Sequence, residues 1–177
     1  MQIKNSASHF GIVTILLHWL MAVIIISLLC VGLYMTGLPV GLQKLKLYGM
    51  HKEFGVLVIM LASLRLLWRI SNITPSLNLP LLERLAARAA HWAFYVFMFA
   101  MPITGYLISC YANIPVSFFG LFTLPNLVTA DHAQMKLFEN VHQWLAYALI
   151  GLIIVHVLAS LKHYFIDKDD IMQRMIS

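Results

Sequence analysis

Eight histidines occur in this 177-residue chain, and two of them bracket one apolar run, HQWLAYALIGLIIVH, with no charge between His142 and His156. At about 100° and about 1.5 Å per residue, fourteen residues bring the second imidazole within about 40° of the first and about 21 Å further along. They share a helix face at two depths. An imidazole placed inside hydrocarbon needs a hydrogen-bond partner or a metal. The same interval recurs from His18 to Gly32 and from His51 to Arg65. Gly32 and Gly55, the latter one turn after His51, leave bare backbone where a flat group such as a porphyrin could lie. Arg65, facing the bundle with His51, needs an anion: a haem propionate, or a quinone carbonyl as acceptor.

The elements that must position these groups are membrane helices. Apolar residues make up 61% of the chain and charged residues 11%, too apolar for a domain with a polar exterior. The mean hydropathy of +0.84 agrees. Four stretches, about 14–35, 49–70, 87–110 and 140–163, meet the requirement of about 20 mostly apolar residues. The reading is an all-α membrane protein, a single domain over 1–177 with four transmembrane helices running up-down-up-down. The first span is too long for a signal-peptide core and lacks a small-residue cleavage site. Eight Lys and Arg on the side of the N-terminus (Lys4, Arg65, Arg69, Arg84, Arg88, Lys162, Lys168, Arg174) against Lys44, Lys46, Lys52 and Lys136 opposite place both termini in the cytoplasm. A net charge of +5 spread over helix ends excludes a nucleic-acid interface. Cys30 and Cys110 read as small buried hydrophobes, with a disulfide left open because both lie toward one membrane side.

Alternating helix direction sorts four histidines into two pairs. His18 and His156 fall on the cytoplasmic side, and His51 and His142 on the outer side. Bis-imidazole pairs without Cys, Asp or Glu at the same depth suit six-coordinate haem b better than four-ligand zinc. No C-x-x-C-H motif is present, so two haem b groups held without thioether bonds are expected. Arg84, Arg88 and His91 share a face with Tyr95 at the start of the third span, and His163 is seven residues after His156 on its face. Arg88, His91 and His163 are the quinone candidates, with a propionate as the other partner for His163. Pro102 in MPITGY should kink the third helix. Residues 111–139 should form an outer loop, with the amphipathic DHAQMKLFE as a lid on the membrane surface. The tail after His163 should be solvated.

The chain resembles the bacterial cytochrome b561 family through HWL in the first span, GMH and RLLWR in the second, HWAFYVFMFAMPITG in the third, and NVH, IVH and HYF in the fourth. That family is similar in turn to the haem b subunits that anchor formate dehydrogenases and hydrogenases, which also place two histidines fourteen apart on one helix. The resemblance implies a four-helix diheme cytochrome of the bacterial inner membrane, with His18, His51, His142 and His156 as axial ligands. Some members are superoxide oxidases, which pass electrons from periplasmic superoxide to ubiquinone. In that reading Lys44, Lys46, Lys52 and Lys136 steer the anion. The competing reading is a diheme anchor relaying electrons between quinone and a periplasmic redox protein, with no substrate chemistry of its own.

Overall fold

In the computed structural model, which describes residues 2–7, 9–75 and 79–176, four long helices run in succession. They are α1 (Ile12–Thr36), α2 (Leu42–Ile70), α3 (Leu81–Tyr111) and α4 (His132–Lys162). By length and composition α1, α3 and α4 can each cross a membrane. In α2, Lys52 and Glu53 near one end and Arg65 and Arg69 near the other confine the uncharged apolar run to Phe54–Leu64. Large apolar side chains such as Leu16, Val23, Val96, Trp144 and Val155 point outward, as a hydrocarbon solvent allows.

All four helices outrun their expected spans, for local reasons. The third begins directly after Pro80, whose missing N–H costs nothing at a helix start. The fourth begins at His132 because the Asp131 carboxylate accepts from the N–H groups of Ala133 and Gln134, at 2.8 and 3.1 Å. DHAQMKLFE is therefore the opening of α4, and the expected separate lid is corrected. The rest of the 111–139 connection holds a hairpin of β1 (Val116–Phe118) and β2 (Phe122–Leu124). Its turn places Phe119 and Gly120 at φ 48° and 72°, the paired left-handed geometry that suits strand twist.

Extensive packing joins α1 to α2, α2 to α3 and α3 to α4. Met21, Ala62, Tyr95 and Met98 form the buried core, all from the first three helices. The fourth packs on α3, and among the described residues its packing against α1 and α2 is slight; 6% of its apolar window is buried, against 17% in α1 and 28% in α3.

Both chain ends meet at one end of the bundle. Asn5 donates to the Ile73 carbonyl at 2.7 Å and accepts from Gly11 N–H and the Thr14 hydroxyl, both at 2.8 Å. After α4 a π-helical turn (His163–Asp167) and a left-handed Lys168 reverse the chain. The tail is exposed or partly exposed, as expected, and the Trp19 indole donates to its Met175 carbonyl at 2.7 Å, tying it to α1. Cys30 and Cys110 are both free thiols, the first exposed and the second buried.

Candidate electron-transfer site

The two histidine pairs face each other across the unpacked side of α4. The ring centroids of His18 on α1 and His156 on α4 lie 6.2 Å apart. Those of His51 on α2 and His142 on α4 lie 6.3 Å apart. An imidazole nitrogen sits about 2 Å from a metal it ligates, and the ring centre about 1 Å behind that nitrogen, so two rings trans across one ion have centroids about 6 Å apart. Both pairs meet that measure without any helix moving.

Around the outer pair the walls are bare backbone. A Cβ on Gly32 would lie 3.4 Å from His51 Cε1, and one on Gly105 would lie 3.2 Å from His142 Cε1. His51 Nδ1 is buried without a hydrogen-bond partner, a state that asks for an explanation in a folded protein. His142 Nδ1 lies 2.9 Å from the Thr104 hydroxyl. Gly55, expected beside a macrocycle, instead faces α3, where an added Cβ would meet Pro102 Cβ at 3.9 Å.

The inner pair has aromatic and cationic walls. Trp19 packs edge-on to His18 at 5.4 Å, and Phe94 to His156 at 5.1 Å. Arg65 donates to His18 Nδ1 at 3.2 Å. A guanidinium can only donate, so that bond takes the Nδ1 lone pair and leaves the ring proton on Nε2. Ligation through Nε2 would therefore require the proton to sit on Nδ1 and this contact with Arg65 to be given up. His91 is half-buried on α3, and Arg69 stacks over the buried ring of Tyr95 at 5.7 Å. Arg84 and Arg88, two turns and one turn before His91, are exposed.

His163 stands apart from both pairs. It lies 2.7 Å from Asp169 and 3.1 Å from Asp167, while Lys162 bridges Glu83 and Asp167 at 2.9 and 2.8 Å. Its Nδ1 is engaged by these two carboxylates. Of the outer lysines, Lys44 donates to the Leu38 carbonyl at 2.8 Å and Lys136 pairs with Glu139 at 2.7 Å. Lys46 is exposed. Lys52 lines a crevice of about 220 Å³ between the start of α2 and β1, with Tyr48, Glu53 and Ser117.

Thr104, Gly105, Trp19 and Phe94 were not picked out as site residues from the sequence. Gly105 is visible there only as part of a kink motif. Which residue of α3 meets which ring of α4 depends on the register between helices, which no spacing within one helix encodes.

Residues 9–177 match the family model described as prokaryotic cytochrome b561. The chain is 38% identical to cytochrome b561 homolog 2 of Escherichia coli strain K12, across 99% of this chain and 95% of that protein. It is 27% identical to cytochrome b561 homolog 1 of the same organism, across 96% and 97%. It is also 27% identical to a Yersinia pestis protein named probable superoxide oxidase CybB, across 98% and 96%.

Proposed function

Because the chain belongs to the prokaryotic cytochrome b561 family, a family of helical bacterial membrane proteins that carry b-type haem and move electrons across a membrane, we propose that it is a diheme superoxide:ubiquinone oxidoreductase of the inner membrane. The observation that carries the diheme reading is the pair of facing imidazoles at each of two depths, 6.2 and 6.3 Å between centroids. The bundle then has four spans, α2 included, because α2 packs between α1 and α3 and supplies His51. Both termini lie in the cytoplasm, on the side where Lys and Arg are denser.

Haem b, when bound, would supply one-electron redox chemistry. His18 and His156 hold the inner group, and His51 and His142 the outer one. Arg65, beside His18, would offer its guanidinium to the carboxylates of the inner haem. Gly32 and Gly105 keep the outer slot open against α1 and α3. On the outer face Lys46 and Lys52 draw in a small anion, and the pairing of Lys136 with Glu139 and the tether on Lys44 reduce their share of that field. On the inner face His91 and Tyr95 provide polar groups beside the apolar bundle for a quinone, with Arg88 at its mouth. Two superoxide anions each give up one electron, and ubiquinone takes up two electrons and two protons.

Stopped-flow measurement of superoxide decay in proteoliposomes containing ubiquinone tests this reading. Decay faster than in protein-free vesicles, together with quinol formation, is the expected result. Haem-loaded protein that leaves the decay at the lipid background sinks the superoxide reading and leaves the relay between quinone and a partner redox protein.

A further inference from the structure

We propose that Thr104 is a positioning residue for the outer haem, fixing the tautomer and the ligand strength of His142. The inference rests on the reading of His142 as an axial ligand. Thr104 lies on α3 and is 8% exposed, so its hydroxyl has little water to bond. Its Oγ1 is 2.8 Å from the Met101 carbonyl oxygen, an acceptor only, and 2.9 Å from His142 Nδ1. A hydroxyl has one proton. In this arrangement the hydroxyl proton goes to the Met101 carbonyl, and His142 Nδ1–H donates to Oγ1. The ring proton is thereby held on Nδ1, and Nε2 keeps the lone pair that a metal takes.

The neighbouring residue makes this contact possible. A Cβ at position 105 would press on His142 Cε1 at 3.2 Å, so the bare backbone of Gly105 lets the ring approach α3 closely enough to reach Thr104. The other histidines are held differently. His18 Nδ1 receives a hydrogen bond from Arg65, and His51 Nδ1 is buried without a partner. A ligating imidazole that donates its far N–H to an oxygen is the more basic ligand and stabilises the oxidised metal. Thr104 thus lowers the potential of the outer haem relative to the same site without it, favouring electron transfer inward.

The test is a spectroscopic redox titration, with electron paramagnetic resonance of the oxidised state, on detergent-purified haem-loaded wild type, Thr104→Val and Thr104→Ser. Valine keeps the shape of threonine and removes the acceptor. The expected result is an upward shift in the outer potential with a changed low-spin signal in Thr104→Val, no change in the inner haem, and return toward wild type in Thr104→Ser. Loss of the outer haem from Thr104→Val with its retention in Thr104→Ser also supports the proposal. An outer potential and signal that match wild type in Thr104→Val overturn it, as does a serine variant that behaves like valine. Failure of the underlying reading looks different: wild type itself then shows one haem per chain, or His142→Ala retains both.

Discussion

The two histidine pairs have nearly equal ring separations and opposite surroundings. The outer pair sits between glycines, with a hydroxyl on His142 and an unpartnered nitrogen on His51. The inner pair sits between Trp19 and Phe94, with the Arg65 guanidinium on His18. One slot is opened by removing side chains, the other is walled by rings and charge. Space is thus specified separately from polarity. The outer slot is bounded by bare backbone and a hydroxyl, whereas the inner slot has a guanidinium at its histidine. Equal geometry with unequal electrostatics is what a directional electron path requires.

The sharpest way to break the comparison is to delete one ligand from each pair. His51→Ala should halve the haem content measured as pyridine hemochrome and remove the outer component of the redox titration, and His18→Ala should remove the inner one. His142→Ala and His156→Ala should repeat those losses respectively. If both α4 variants lose the same component, the two-pair arrangement is wrong.

Next in size is the charge difference. Arg65→Leu removes the cation from the inner slot only. A carboxylate left without its partner in a low-dielectric site raises the cost of binding by about 3 kcal/mol or more. Weakened inner haem retention, a shifted inner potential and an unchanged outer component are expected in the same titration. An altered outer component with an intact inner one would contradict the assignment of Arg65.

The glycine walls predict a smaller, graded effect confined to the outer slot. Gly105→Ala brings a methyl to 3.2 Å from the His142 ring, and Gly32→Ala one to 3.4 Å from the His51 ring. Forcing an extra carbon into a packed site costs about 1–3 kcal/mol. Gly105→Ala should lower outer haem occupancy more than Gly32→Ala, and Gly55→Ala, with 3.9 Å to Pro102, should leave it at wild type.

Much of this was legible in the sequence because it depends on spacing within one helix. The fourteen-residue interval on α4 gives two depths, hydrophobic length gives the spans of α1, α3 and α4, and alternating direction brings the histidines together in pairs. Gly32 was legible by the same arithmetic, and the structure places it against His51. What escaped depends on contacts between elements. Thr104 and Gly105 reach His142 through the register of α3 on α4. The helical start of α4 hangs on one aspartate cap, which a pattern reader passes over when an amphipathic stretch invites a lid. His163 keeps the helical backbone of α4, and the π-helical turn that starts there brings Asp167 and Asp169 to its Nδ1, partners that spacing along α4 does not encode. Periodicity does not survive a change of helix type.

The smallest effect concerns how the inner slot is closed. Trp19 adjoins His18 in sequence and packs edge-on to its ring, while its indole N–H holds the Met175 carbonyl at 2.7 Å. The tail, reversed at Lys168 and held by the Arg174–Asp170 pair at 2.9 Å, therefore ends beside an inner ligand. At the other end of the bundle the hairpin packs on α2 through β1. Trp19→Phe keeps an aromatic face against His18 and removes the donor. A single hydrogen bond to a half-exposed group is worth about 1 kcal/mol, so global stability should barely change. Local opening of the tail should instead rise about fivefold, since that energy difference corresponds to about that factor in an equilibrium constant. Hydrogen exchange at the amides of residues 171–176 reads this directly, and faster exchange there with an unaltered rate in β1 and β2 is the expected pattern. Equal exchange in wild type and Trp19→Phe would mean that the tail is held by its own ion pairs, and the inner slot would then have no closure linked to its ligand helix.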